Sequence, residues 1–365
     1  MSEWQTFCLK DLGKIVGGAT PSTNNPKNYG NKIAWITPKD LSTLQGRYIK
    51  KGSRSISRLG FKSCSCVLLP KHAILFSSRA PIGYVAIAKK RLCTNQGFKS
   101  IIPNKKIYFE FLYYLLKYHK DNISNIGGGT TFKEVSGATL GLFKVKIPPI
   151  YYEQQKIART LSILDQKIEN NHKTNELLHT LAYKIYEYYF KYKPKNAKLE
   201  QIIIENPKSS IMVKNAQKTQ DKYPFFTSGD NILSYPKAII DGRNCFLNTG
   251  GNAGIKFYVG KASYSTDTWC ICANEFSDYL YLLLSSIKTH INQSFFQGTS
   301  LKHLQKNLLK KYPIYMPSAH ESKKFNQIIM PLLTLISINT RISKKLEQIR
   351  DFLLPLLLTQ QVKPQ

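Results

Sequence analysis

Between Leu41 and Phe109 the chain carries 14 lysines and arginines and no aspartate or glutamate across 69 residues. Solvated surfaces mix both signs, so a one-sign run of this length is suited to neutralising the phosphates of a nucleic acid. Ten of its cations are the candidate contact residues: Arg47, Lys50, Lys51, Arg54, Arg58, Lys62, Arg79, Lys89, Lys90 and Arg91. Arg79, in the loop Ser77-Ser78-Arg79-Ala80-Pro81, is expected at a base edge or in a minor groove, and most of the others at phosphate. In the later half of the chain the candidates are Ser228, Arg243, Asn252, Lys256 and Lys261. The whole chain of 365 residues holds 53 Lys plus Arg against 22 Asp plus Glu, a net charge of +31. That excess favours a polyanionic partner; a proteome that is basic throughout is the other reading.

Residue types that do covalent or metal chemistry are present but not arranged for it. Gly13-Lys14 and Gly260-Lys261 are not followed by Ser or Thr, so no phosphate-cradling P-loop is visible, and no Gly-x-Gly-x-x-Gly opens a βαβ unit. Ile147 precedes Pro148-Pro149 where adenine methylases place Asp, Asn or Ser. Acids are too scarce in the first module for a two-metal nuclease site, and His172 and His179 fall on a helix with heptad spacing. The seven cysteines, single or as Cys64-x-Cys66 and Cys270-x-Cys272, suit buried thiols in a reducing cytosol better than a disulfide frame. A zinc site at either pair lacks a matching Cys or His pair. The expectation is a binding protein with no catalytic residues and no metal. No apolar stretch approaches the roughly 20 residues of a membrane span. The polar start Met1-Ser-Glu-Trp-Gln is unlike a signal peptide, so a soluble, cytoplasmic protein is expected.

The elements that must position these cations come in two copies. Gly129-Thr130-Thr131-Phe132 followed by Val145-x-Ile147-Pro148 recurs as Gly298-Thr299-Ser300-Leu301 followed by Ile314-x-Met316-Pro317, at a constant offset of 169. Phe111 to Leu116 matches Tyr279 to Leu284, Gly83 to Lys90 matches Gly254 to Lys261, and Leu9-x-x-Leu12 pairs with Leu199-x-x-Ile202. Short apolar runs bounded by Gly, Pro and Ser read as strands, with Lys89-Lys90-Arg91 at a cationic hairpin tip and a short helix from Phe111. After each module comes a 4-3 apolar seam: Leu161, Leu164, Ile168, Asn171, Asn175 and Leu178 in the first, and Phe325, Ile328, Leu332, Leu335, Asn339 and Ile342 in the second. Pro331 is expected to kink or delay the second helix and Pro355 to end it. The fold class expected is α+β: two mixed α/β modules forming a pseudo-repeat, joined by two long helices in a coiled coil. The boundaries are 1–150 and 196–318 for the modules, 151–195 and 319–365 for the helices. Two basic modules spaced by long helices fit double-stranded DNA, with its regularly spaced sites, better than RNA.

Two finer expectations concern the repeat. Thr131 with Glu134 reads as a capping box, so Thr130 and Thr131, and their counterparts Thr299 and Ser300, should begin a short helix whose free N–H groups either hold a DNA phosphate or serve only as a cap. Asn171 and Asn339 are equivalent positions in the two seams. They are expected either to meet side chain to side chain at a pseudo-two-fold axis, fixing register, or to face solvent.

Particular motifs carry a resemblance. Gly17-Gly18-Ala19-Thr20-Pro21-Ser22, Ile33-Ala34-Trp35-Ile36-Thr37-Pro38-Lys39-Asp40-Leu41, Ile74-Leu75-Phe76-Ser77-Ser78-Arg79-Ala80-Pro81-Ile82-Gly83 and Thr94-Asn95-Gln96-Gly97 together strongly resemble the specificity subunit of type I restriction-modification enzymes. So do the junction Ile147-Pro148-Pro149 into Glu153-Gln154-x-x-Ile157, and Pro224 to Gly229. The similarity covers nearly the whole chain. It implies two target recognition domains, each reading half of a bipartite site on double-stranded DNA, joined by two long helices in an antiparallel coiled coil. It implies two methyltransferase subunits using S-adenosylmethionine and ATP-driven, Mg2+-requiring restriction subunits as partners, with no cofactor bound directly, no catalysis by the chain itself and no membrane. The second module departs from the pattern in having no counterpart to Gly17–Ser22 and the Trp35 region, being about 20 residues shorter. A stand-alone two-headed nucleic-acid scaffold and the recognition part of a split or fused methylase-nuclease are the competing readings.

Overall fold

A computed structural model describes residues 3–129, 133–216 and 222–363. The chain divides into two compact units, residues 1–169 with 349–365 and residues 170–348, so that each unit includes part of both long helices.

In the first unit the strands are β1 (Gln5–Cys8), β2 (Gly13–Gly17), β3 (Tyr29–Ile36), β4 (Tyr48–Ile49), β5 (Arg54–Ile56), β6 (Ile74–Phe76), β7 (Val85–Ala88), β8 (Cys93–Thr94), β9 (Lys99–Pro103) and β10 (Lys144–Ile147). One sheet runs in the order β2-β9-β6-β7-β4 and a second in the order β5-β3-β8, while β1 pairs with β10 and closes the module's ends together. The central strands are near-continuous apolar runs because both faces are covered; Ile74, Leu75, Phe76, Ala86 and Ile87 are fully buried. The Phe109–Tyr118 helix lays Phe111, Leu112, Leu115 and Leu116 into the core beside Ile74, Phe76 and Ile101. At the module's exit Gln154 is fully buried: its amide Nε2 donates to the carbonyls of Lys106 and Pro148 and its Oε1 accepts from the Tyr108 N–H at 2.7 Å. The Glu153-Gln154 junction is thus a splice between module and helix.

The second unit repeats this plan with β11 (Ala197–Lys198), β12 (Ile204–Glu205), β13 (Tyr223–Phe226), β14 (Ile232–Tyr235), β15 (Arg243–Asn248), β16 (Ile255–Val259), β17 (Ser263–Tyr264), β18 (Thr268–Cys272), β19 (Phe296–Gln297), β20 (His303–Leu304) and β21 (Pro313–Ile314). The order β12-β18-β15-β16 reproduces β2-β9-β6-β7, and β11 pairs with β21 as β1 does with β10. Contrary to expectation, the second module does have a counterpart to the Trp35 region. Trp35 and Ile36 lie parallel to Cys93 and Thr94, and Phe225 and Phe226 lie in the same way against Ser263 and Tyr264. The Asn95 N–H donates to Ile36 O and the Ser265 N–H to Phe226 O, both at 2.9 Å. Backbone ladder bonds are blind to side-chain identity, so β3 and β13 pair alike without sharing a residue type at aligned positions. The offset of 190 that joins Leu9 to Leu199 also joins Trp35 to Phe225, and it falls to 170 at Cys93 and Ser263 because the segment after β13 is shorter than that after β3.

The long helices run Tyr151–Phe190 and Ala319–Leu358, 40 residues each. The second begins twelve residues before Pro331, so the late start allowed for at that proline does not occur, and it ends three residues beyond Pro355, near the expected end. Pro331 is exposed, where water can take up the carbonyl it leaves unbonded. Within the second unit the helices are antiparallel, since Asn171 meets Ser343 while Tyr189 meets Phe325. The buried row of the second helix is Phe325, Ile329, Leu333, Ile336 and Asn339, one position away from the expected Ile328, Leu335 and Ile342, which are exposed. Both rows are apolar in the sequence; packing against the module and the first helix selects one of them.

The seam asparagines meet with a shift of one turn. Asn171 Nδ2 donates to Ser343 Oγ at 3.1 Å and to the Asn339 carbonyl at 3.5 Å, while Asn339 Nδ2 donates to Asn175 Oδ1 at 2.9 Å. Asn175 and Ser343 are equivalents across the repeat, as Asn171 and Asn339 are, so the two contacts are mates under a pseudo-two-fold axis. The axis passes between the asparagines rather than through them, and the expected side-chain pairing of Asn171 with Asn339 does not form. Replacing both by Leu strands Ser343 Oγ and Asn175 Oδ1. At about 1 kcal/mol for each lost bond, the thermal midpoint is expected to fall by roughly 4 °C, whereas a symmetric Asn pair would have given a rise. A melt that rises would show that these amides cost stability.

Candidate nucleic-acid interface

In the first module eight of the ten candidate cations are exposed: Lys50, Lys51, Arg54, Arg58, Lys62, Lys89, Lys90 and Arg91. Among the described residues none of them forms an ion pair. They stand on short, well-tied elements. Arg54 lies in β5, Arg58 and Lys62 on the helix Arg58–Lys62 capped by Ser57, and Lys50 and Lys51 just after β4. Lys89-Lys90-Arg91 is not a hairpin tip: β7 pairs with β6 and β4, whereas β8 pairs with β3, so the three cations occupy the turn where the chain passes from one sheet to the other. Backbone bonds fix that turn on both sides, from Lys89 N–H to Ile49 O at 2.9 Å and from Leu92 N–H to Leu69 O at 3.2 Å.

Arg47 is a correction. Its side chain is only 3% exposed, with Nη1 3.1 Å from Glu110 and Nε 3.1 Å from Glu169, and Asp165 lies 3.9 Å away. Arg350 Nη1 reaches the other Asp165 oxygen at 2.7 Å, and the Tyr114 hydroxyl donates to Asp165 at 2.6 Å. This guanidinium holds the module onto the first long helix and is not at the surface. Arg79 is half-exposed and 3.6 Å from Glu134, which also takes Lys99 at 3.2 Å; a DNA contact by Arg79 has to compete with that acid.

The second module's candidates divide in the same manner. Arg243, the first residue of β15, forks onto Asp278 with two 2.7 Å bonds and donates to Thr334 Oγ1 and the Met330 carbonyl on the second long helix. Burial raises the Asp278 carboxyl above its usual range even with Arg243 bound. Arg243 is therefore a structural latch, a second correction. Glu110 and Asp278 are equivalent across the repeat, yet their arginines come from non-equivalent strands, so the acid was the legible half of each latch. Lys256 is half-buried and donates to the Thr227 carbonyl and to Asn248 Oδ1, both at 2.9 Å; burial draws its ammonium below the ordinary lysine value. The Ser228 hydroxyl donates to the Asp267 carbonyl and accepts from the Thr249 N–H. Asn252, whose carbonyl accepts from Asn248 Nδ2, and Lys261 are exposed.

Thr299 and Ser300 start no helix. They are exposed in the turn between β19 and β20, entered through Gly298 at φ +139°. In the first copy Glu134 pairs backbone to backbone with Gly128, again the frame of a hairpin, and its carboxylate meets Lys99 and Arg79. Thr130 and Thr131 lie outside the described residues. The Gly-Thr repeat marks a glycine-dependent reversal, and a helix-end phosphate site is not formed at its second copy.

A family model described as the type I restriction modification DNA specificity domain matches residues 1–179 and 195–348. The chain belongs to that family. It is 33% identical to the type I restriction enzyme MjaIX specificity subunit of Methanocaldococcus jannaschii over 97% of this chain and 92% of that protein. It is 31% identical to the HindI specificity subunit of Haemophilus influenzae over 46% of this chain and 37% of that one. The crystal structure of a type I restriction-modification system S subunit from M. genitalium shares the fold, with a TM-score of 0.63, 18% identity and coverage of 97% and 96%. In this specificity-family chain no three His, Cys, Asp or Glu side chains are grouped to hold a metal among the described residues, and none of their helices is long and apolar enough to cross a membrane. Cations that the sequence reading missed are Arg341 and Lys345, on the exposed side of the second helix. Their signal is three cations within five residues, Arg341 to Lys345, inside a segment read only for its apolar seam.

Proposed function

We propose that this chain is the sequence-reading subunit of a type I restriction-modification assembly and that its two modules each read one half of a bipartite site on double-stranded DNA. The observation that carries the reading is one sheet order built twice in a chain matched in two stretches by the specificity-domain family. Two copies of a reader on one polypeptide bind two sub-sites, and linkage adds avidity when the spacer fits. The chain is not itself catalytic. Two methyltransferase subunits using S-adenosylmethionine, and restriction subunits using ATP and Mg2+, supply the chemistry in the cytoplasm. The exposed heptad row Ile328, Leu335 and Ile342, with Leu177 and Leu181 exposed on the first helix, supports a methyltransferase subunit docking along the helices.

The test is exchange of residues 1–150 for the corresponding module of a related chain, followed by methylome sequencing of cells expressing each version. One half of the methylated site is expected to change completely and the other not at all. A swap that rewrites both halves would defeat the two-reader model.

A further inference from the structure

We propose that the second long helix is itself part of the DNA surface, binding the phosphodiester backbone through a cationic groove that it forms with the second module. The proposal rests on the DNA-recognition reading above and adds a contact surface to it.

The groove lies wholly within residues 170–348 and encloses about 880 Å³. Lys222 and Lys261 stand on the module's wall and Arg341, Lys344 and Lys345 on the helix's wall. Among the described residues the acids in the lining are Asp241 and Glu347, against five cations, a surplus of three positive charges. A concave cationic surface with low-dielectric walls focuses potential more strongly than the same charges on a convex face. Here the floor is apolar and aromatic, with Tyr223, Pro224 and Ile232.

Two details show a seat for an anion rather than a chance cluster. Arg341 is held in place, its guanidinium 5.9 Å from the centre of the buried Tyr258 ring. Gly260 leaves the space for it, since a Cβ there would come 3.2 Å from Arg341 Nη1. A pre-oriented fork loses less side-chain freedom on meeting a phosphate than a free one. In the same wall, His172 Nδ1 is buried without a hydrogen-bond partner among the described residues. A neutral imidazole keeps one N–H, whose hydrogen bond a phosphate oxygen can accept.

The second module's own cations give the groove its reason. Arg243 is committed to Asp278 and Lys256 to two neutral oxygens, so two of the module's candidate cations are turned inward. Cations on the adjoining helix restore a phosphate-binding edge beside Lys261. Lys344 shares the groove while its Nζ donates to the Leu233 carbonyl at 2.9 Å, so Arg341 and Lys345 carry the prediction.

The experiment uses the full chain and a fluorescent mixed-sequence duplex several helical turns long, with affinity read from about 50 to about 200 mM salt. Losing two phosphate contacts should reduce the slope of log affinity against log salt by about 2 and weaken binding about 10-fold in Arg341→Gln/Lys345→Gln. Arg341→Lys/Lys345→Arg, which keeps both charges, should retain the wild-type slope and so separates lost charge from lost packing over Tyr258. A wild-type slope and affinity in the Gln pair would overturn the proposal, as would equal losses in both pairs. If the wild-type chain binds duplex with no salt dependence at all, the DNA-recognition reading itself fails, a result distinct from either of these.

Discussion

Arg47→Ala is expected to destabilise the first unit by about 3–5 kcal/mol, because it leaves Glu110, Asp165 and Glu169 clustered and largely buried without the cation that compensates them. The loss is that of one member of a buried ionic network, where Coulomb repulsion among the remaining carboxylates adds to their unmet desolvation. Arg350 still reaches Asp165, but Glu110 and Glu169 lose their guanidinium. Arg47→Lys should recover only part of the stability, since an ammonium cannot span two carboxylates as the planar fork does. The check is urea unfolding of the full chain with a probe in the first unit, because two units need not melt as one transition. An unchanged midpoint together with a shallower salt dependence of DNA binding would return Arg47 to the DNA surface and remove the latch.

Lys89→Ala/Lys90→Ala/Arg91→Ala is expected to do the reverse. These side chains are exposed and make no ion pair among the described residues, so stability should hold within about 0.5 kcal/mol. The backbone bonds at Lys89 and Leu92 fix the turn whatever its side chains are. If all three meet phosphate, the slope of log affinity against log salt should fall by about 3, and affinity near 100 mM salt by about 100-fold. Phosphate contacts carry no sequence information, so the methylated half-site read by this module should keep its sequence while its occupancy drops. A slope equal to the wild type's would remove these cations from the interface, and a changed half-site sequence would make them base readers.

The contrast between Arg47 and Lys89 shows where sequence reading stops. Both lie in the same acid-free run, and nothing local distinguishes them. Glu110 and Glu169, the acids that claim Arg47, lie 63 and 122 residues away in the chain, so only folding brings them together. Arg243 and Asp278 repeat the lesson at a separation of 35 residues.

What the sequence determined by itself was periodic or repeated. The two modules, the two long helices and the core stripe of Phe111 to Leu116 follow from offsets and heptads, because burial of apolar faces obeys helical and strand periods wherever the chain lies; the antiparallel direction of the helices came only with the family resemblance. The turn at Gly298 was visible as a recurring glycine, although its role as a hairpin reversal was not. Tertiary structure alone decided three further matters. It chose Ile329, Leu333 and Ile336 over an equally apolar neighbouring row, because the choice depends on what packs against the helix. It placed the pseudo-two-fold axis between Asn171 and Asn175, because register is a property of two helices and not of one. It aligned β13 with β3, because ladder pairing is made by backbone groups that every residue shares.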